Sequence, residues 1–460
     1  MRRIIGWRAL LLCVVLAPLP ASADLYQAAA AVEKQDLARA FELYRELAEM
    51  GQPVAQENLA VMYVNGEGVK RDNVLGYAWA VMAVENGSGD VAKGIVEQLT
   101  PYLNDAARAR VAELQAKFGK EALEKTLLPL RRNPADHPEL PECRIVQVAN
   151  PDHYYPNDAR QRGVMGDTLV ELLIFGDGHA HDPRSSHSYP PDVFSAAGRN
   201  VSLHNRATPK LVNGVAVPCS IKIKVKFSIR TADWFTTKDE LIDQIAPIRE
   251  KANRGDPIAQ LAYAIVIENR SDLAGKDDLP LWWYLKAAQA GIPAAQQIVG
   301  VQLLPAEEAK GLFWLNKAAA AGNPEAQLGL ANYYMRKLPD SAALAAAVDW
   351  FRKAVEGGSR DARFYFAALL ATGPDAALRD PTRALDLIEQ AKSDYGTNPI
   401  WFEIRAAAWA MSGDFVKAQK EQDAAVRAAK KLGWNTAPQQ GRLADYIAKK
   451  SWSGDLFAFY

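Results

Sequence analysis

The chain has no surplus of either charge: 54 Lys and Arg stand against 54 Asp and Glu. With no net field to steer it toward nucleic acid or acidic lipid, nucleic-acid binding loses its main electrostatic support. No segment is long and apolar enough to span a bilayer core of ~30 Å, which needs roughly 20 residues. The longest apolar run, ALLLCVVLAPLP, begins at Ala9 and is interrupted by Pro18 and Pro20. A Gly-rich phosphate loop, a nucleophile elbow, an HExxH helix and a cysteine beside a base are all missing, so no catalytic apparatus is predicted and no cofactor is expected. Cysteine is sparse as well, at Cys13, Cys143 and Cys219.

What surrounds the apolar run gives it meaning. Arg2, Arg3 and Arg8 precede or enter it, and Ala21-Ser22-Ala23 follow before Asp24, which is the order of a secretory signal over residues 1–23. The mature chain is then expected to start at Asp24, in the periplasm if the cell is Gram-negative; the alternative is an uncleaved inner-membrane anchor. Leu10-Leu11-Leu12 before Cys13 argue against a lipoprotein signal. In an oxidising compartment, Cys143 and Cys219 are consistent with a disulfide closing a long loop, the alternative being two buried thiols. A chain of 460 residues is too long for one core and predicts two or three domains.

Two helix-rich stretches, 24–130 and 238–460, share an internal repeat. Gly51, Gly255, Gly291, Gly322 and Gly358 are each followed four residues later by alanine: Ala55, Ala259, Ala295, Ala326 and Ala362. Eight residues before a turn glycine stand Trp79 (for Gly87), Trp283, Trp314 and Trp350, and five before it Lys286, Lys317 and Lys353. An antiparallel helix pair needs a left-handed residue where the first helix ends and a small one where the two cross. The tryptophans then form a face that only the next pair buries, so the units stack; the lysines read as solvated. LKAAQAGIPAAQ, NKAAAAGNPEAQLGLANYY and RKAVEGGSRDARFYFAALLATG resemble the Sel-like repeat, a relative of the tetratricopeptide repeat. The segment around Gly413-Asp414 looks like an ordinary tetratricopeptide unit, and Arg442 to Tyr460 are expected to cap the array. Pro134, Pro138 and Pro141 make 131–141 an extended linker.

Between the arrays, residues 142–230 read as a small α+β module: a helix, two strands, a helix and a closing strand. Gly176-Asp177-Gly178 is the hairpin turn after a strand apolar at nearly every position, and Pro183 puts the return strand at an edge or a bulge. The closing strand alternates: Ile221, Ile223, Val225 and Phe227 fall on a core face, and Lys222, Lys224 and Lys226 on a basic, solvated one. Tyr155, Pro156, Ala159 and Arg160, then Gly163 and Gly166, the Phe194 to Ala197 helix, and Pro209 through Asn213-Gly214 resemble the C-terminal domain of TonB, the periplasmic energy transducer of Gram-negative bacteria. The resemblance implies that the closing strand accepts a strand from a short peptide of an outer-membrane transporter. A free strand edge supports that mode in its own right, while edge lysines are also a device against unwanted pairing. TonB itself has a membrane anchor and a long Pro-rich spacer and ends with this domain; here a signal, no spacer and a second helical array replace them.

All six histidines cluster at His137, His153, His179, His181, His187 and His204. His179 and His181, with His187 and Asp182 nearby, are weighed as a zinc or copper site against exposed surface histidines. The expected fold class is thus multidomain and mainly α, with solenoids on both sides of an α+β domain. The expected function is non-catalytic binding of protein or peptide partners in the periplasm. The alternatives are a divergent anchored transducer and a metal-binding protein.

Overall fold

The computed structural model describes residues 23–129, 143–162, 164, 166–189, 193–228, 238–275 and 278–457, the side chains of Ser186, His187, Tyr189, residues 238–241 and Gln244 excepted. The signal-like segment before Ala23, the linker 131–141 and Gly163 lie outside them. Among the described residues no helix is long and apolar enough to cross a membrane.

The N-terminal array consists of α1 (Leu25–Glu33), α2 (Leu37–Glu49), α3 (Pro53–Asn65), α4 (Asn73–Glu85), α5 (Asp90–Leu99), α6 (Asp105–Phe118) and α7 (Lys120–Thr126). The turn glycines behave as the repeat requires: Gly51, Gly87, Gly255, Gly291, Gly322 and Gly358 all have φ between +82° and +93°, a region costly for a residue with a Cβ. At four of these turns the side chain after the glycine caps the next helix. The side chains of Gln52, Asp256, Asn323 and Ser359 accept from the backbone N–H of Ala55, Ala259, Ala326 and Ala362. Those alanines are buried, as are Trp79, Trp283 and Trp314, with Trp350 half-buried.

A second polar brace repeats beside the alanine and was not anticipated. Gln56, Gln260, Gln296 and Gln327 donate their amide Nε2 back to the carbonyls of Ala48, Ala252, Ala288 and Ala319, at 3.1 to 3.3 Å. Each glutamine is buried and locks the second helix of a pair onto the end of the first. Its sequence signal is the glutamine that follows the repeat alanine, which gives way to Arg363 after Ala362.

The module comprises β1 (Arg144–Gln147), α8 (Asn157–Gln161), β2 (Gly166–Ile174), β3 (Ala180–Tyr189), α9 (Ser195–Ser202), β4 (Arg206–Thr208), β5 (Lys210–Val212), β6 (Val215–Val217) and β7 (Cys219–Phe227). It is richer in strands than the sequence pattern indicates: β1 pairs with β4, and β5 with β6 across the Asn213-Gly214 turn, both residues left-handed. The main sheet has the order β3-β2-β7, all antiparallel. Pro183 sits on the edge strand β3, as its missing N–H demands. A disulfide joins Cys143, just before β1, to Cys219, the first residue of β7, across 76 positions.

The C-terminal array runs through α10 (Lys238–Asn253), α11 (Pro257–Asn269), α12 (Pro280–Gln289), α13 (Pro293–Leu303), α14 (Glu308–Ala320), α15 (Pro324–Met335), α16 (Ser341–Glu356), α17 (Arg360–Thr372), α18 (Pro381–Gln390), α19 (Lys392–Tyr395), α20 (Pro399–Met411), α21 (Phe415–Leu432) and α22 (Ala437–Ile447). The last helix thus begins before Arg442, and the tail after it folds back to bury Phe457 against Phe364 and Tyr365.

The two arrays are joined rather than merely flanking. A single apolar core runs from Ala28, Leu47 and Trp79 into Tyr263, Tyr284 and Trp314. Polar contacts fasten it: the Leu25 N–H donates to the Ala290 carbonyl at 3.2 Å and Gln289 Nε2 to the Met50 carbonyl at 2.9 Å. Lys310 Nζ donates to the carbonyls of Glu124 and Leu128, and Trp314 Nε1 to that of Leu127. Cationic and indole donors are thereby placed on the carbonyl-rich end of α7, where orphan acceptors need them. Lys317, read from sequence as solvated, pairs with Glu46 at 2.9 Å.

Candidate functional site

The sheet of the module offers two edges, and they differ in what lies beside them. On β3, His181 is the bulged residue skipped in the ladder between Ile174↔Ala180 and Leu173↔Asp182. Its carbonyl accepts from Asn398 Nδ2 at 3.3 Å, and its ring lies between Phe175 and Trp434, at centroid distances of 4.3 and 3.8 Å. The C-terminal array therefore closes this edge. Asp177 in the hairpin turn accepts from His181 Nε2 at 3.0 Å and from the backbone N–H of His179 and Asn435. Burial alone would raise its carboxyl, but those donors outweigh it and hold the group at about 2.

These contacts correct the reading of the histidines as exposed. His179 is 4% exposed and faces Gly433, and His181 is enclosed in the aromatic sandwich. Among the described residues no group of three His, Cys, Asp or Glu side chains is placed to hold a metal; the side chain of His187 is outside them.

Beyond the β3 edge, charged groups lock the module to the same array. Arg199, 6% exposed on α9, reaches Asp394 at 3.0 Å and Asp361 at 3.6 Å, with its guanidinium 4.9 Å from the centre of the Tyr395 ring. Tyr365 donates its hydroxyl to Asp182 at 2.7 Å, and Arg184 Nε donates to the same carboxylate at 2.7 Å. Burial opposes the charge of Arg184, but Asp182 keeps its proton affinity raised. A cavity of about 530 Å³ remains between the sheet and the second helices of the repeats, with Glu171, Lys222, Glu268, Gln297, Ile298 and Arg360 in its walls.

On the other edge, β7 pairs with β2 through nine positions, from Gly166↔Phe227 to Ile174↔Cys219. No other strand pairs with β7 among the described residues. Val225 and Phe227 are buried and Ile221 and Ile223 half-buried, while Lys222, Lys224 and Lys226 are exposed. The alternation expected from sequence is the one observed. The basic face is less open than expected, because Lys224 Nζ donates to the Asn269 carbonyl at the end of α11.

The motif residues sit behind this strand. Tyr155 is buried edge-on against Phe194 and Phe227, each at 5.6 Å, and donates its hydroxyl to the Val164 carbonyl at 2.6 Å. Arg160 covers the Tyr155 ring and donates to the Asp152 carbonyl at 2.6 Å. Pro156 caps α8, Ala159 is buried, and Gly166 opens β2 opposite Phe227. These residues shape the core under β7 and do not themselves line its free side.

Comparison with known proteins agrees with this architecture. Residues 151–229 match the family described as Gram-negative bacterial TonB protein C-terminal, and residues 23–52, 53–88, 281–292, 300–323 and 324–359 match the Sel1 repeat. The chain thus carries a TonB-type domain with Sel1 repeats on both sides, and both families point to protein interaction in the Gram-negative envelope. Among solved structures it is similar to a protective antigen of uropathogenic Escherichia coli strains with an SLR fold, at 18% identity and TM-score 0.34, over 92% of this chain and 84% of that one. It is also similar to a Sel1 repeat protein from Oxalobacter formigenes, at 18% identity and TM-score 0.31, over 45% of this chain and 99% of that one. No curated protein matches the chain.

Proposed function

We propose that this chain is a non-catalytic periplasmic interaction protein that captures an extended segment of a partner beside β7, the partner belonging to an outer-membrane transporter or another envelope complex. The observation that carries this reading is the nine-residue strand laddered on one side, while the opposite edge of its sheet is closed by the chain's own C-terminal array. Backbone groups along a free edge supply affinity without demanding a fixed sequence, and pockets between alternate side chains supply selectivity. The binding segment is Ile221, Lys222, Ile223, Lys224, Val225, Lys226 and Phe227. The Cys143–Cys219 bridge and the aromatic cluster of Tyr155, Phe194 and Phe227 hold it in register.

The repeats contribute less free groove than two independent solenoids would. The C-terminal array is covered by the N-terminal array at α12 and α14 and by the module at α17, α19 and α20. Its role in this reading is to fix the direction in which β7 faces.

The test is a photo-reactive side chain at Lys226, cross-linked in cells, in backgrounds carrying Ile221→Pro or Lys222→Pro. Adjacent residues face opposite edges, so one of the two prolines removes an outward N–H and leaves the β2 ladder intact. The expected result is a discrete cross-linked partner that disappears in that variant while the circular dichroism spectrum stays unchanged. A partner retained in both variants would refute capture at this edge. Amino-terminal sequencing of the fractionated protein checks the compartment, with Asp24 expected as the first residue.

A further inference from the structure

The two faces beside the open edge of β7 have opposite chemistry. On one face Ile221 and Ile223 are half-buried at the margin of the module core, ahead of the buried Val225 and Phe227. On the other face Lys222, Lys224 and Lys226 are exposed, with Lys224 donating to the Asn269 carbonyl and the neighbouring Arg270 neutralised by Asp272. Their inward neighbours on β2 are Glu171, Leu169 and Asp167. Glu171 is also opposite Arg184 on β3 and accepts from Ser220. Asp167 is buried, and burial pushes its carboxyl up. Glu171 is thus shared between β7 and β3 and Asp167 is buried inward of Lys226, while the exposed lysines form the outer row beside which a new strand would lie.

A strand added to β7 sets one side chain directly beside each β7 residue, on the same face. A second copy of β7 paired antiparallel over most of its length in the same sheet would bring lysine opposite lysine, because matching faces forces even spacing. Like charges directly opposite disfavour that pairing. We infer that the occupant is a segment of another protein in which apolar residues alternate with Asp or Glu. Its apolar set extends the core beside Ile221 and Ile223, and its acidic set pairs with the lysine row. This inference rests on the strand-capture reading and specifies the partner that reading leaves open.

The experiment uses the full secreted chain and three capped nine-residue peptides in which Val alternates with Glu, Gln or Lys, followed by fluorescence anisotropy at low salt. Two favourable cross-strand pairs, at Lys222 and Lys226, predict about fivefold tighter binding of the Glu peptide than of the Gln peptide, Lys224 being engaged by the Asn269 carbonyl. The Lys peptide is expected to bind weakest, and the Glu preference to shrink in 0.5 M salt through screening. In the Lys222→Gln, Lys226→Gln double variant the Glu and Gln peptides are expected to bind alike, with the fold checked by circular dichroism. Equal binding of Glu and Gln peptides to the unaltered chain would overturn the acidic-partner inference while leaving strand capture standing. Binding of none of the three would remove strand capture itself. A concentration-dependent dimer abolished by whichever of Ile221→Pro and Lys222→Pro keeps the circular dichroism spectrum unchanged would assign the edge to a second copy and overturn the inference.

Discussion

Arg199 leaves α9 and enters the C-terminal array, where the carboxylates of Asp394 and Asp361 and the face of Tyr395 receive it. Both Arg199 and Asp394 are 6% exposed, so solvent does little to screen the pair. Removing one member of a buried pair strands the other, which costs about 3–5 kcal/mol, whereas replacing both with apolar groups of similar volume is close to neutral. Arg199→Met is therefore expected to lower the urea midpoint by that equivalent, and the Arg199→Met, Asp394→Leu double variant to recover most of the loss. A single variant with an unchanged midpoint would show that the pair does not hold the module in place. Neither residue has any mark in the sequence, because they are 195 positions apart and belong to no repeat or motif. Tyr155 is the opposite case: its motif is legible, and it lies where the motif implies, under the closing strand.

At the scale of elements, the turn glycines share one backbone conformation but not one environment. A Cβ on Gly322 would meet nothing within 4 Å, whereas one on Gly291 would lie 2.7 Å from the Cα of Asp24, the expected first residue of the mature chain. Gly322→Ala is thus expected to cost only the left-handed penalty, about 1–2 kcal/mol. Gly291→Ala adds a clash with backbone and is expected to cost clearly more and to expose the start of α1 to protease. Thermal melts and limited proteolysis of the two variants measure the difference; equal losses would mean that α1 does not pack at that turn. The repeat glycines, alanines and tryptophans were readable because a periodic helix pair imposes them at fixed spacing. The short strands β1, β4, β5 and β6 were not, since three or four residues carry too little alternation to distinguish them from loop.

The whole molecule is held together by contacts that the order of its segments does not suggest. The N-terminal array shares its core with α10 to α14, and the carbonyl end of α7 is held by Lys310 and Trp314. Cutting the chain between residues 131 and 141 is therefore expected to leave the N-terminal array bound: after protease treatment at an engineered site there, the two fragments should co-elute in gel filtration. Separation of the fragments without denaturant would contradict the shared core. The same packing covers the β3 edge of the main sheet, while β7 pairs with no further strand among the described residues. Asn398 and Trp434 lie against β3, while at β7 the array reaches Lys224 through the Asn269 carbonyl.

By itself the sequence determined the elements and their kind: helix pairs from glycine and alanine spacing, the antiparallel module from its motifs, and the alternating faces of β7. These are local properties, set by turn geometry and by side-chain periodicity within a few residues. Tertiary structure alone decided that the arrays fuse, that His179 and His181 are interior contacts, and that the C-terminal array lies against β3. Each of those depends on groups brought together from distant parts of the chain, where burial and charge pairing act between residues that no local pattern connects.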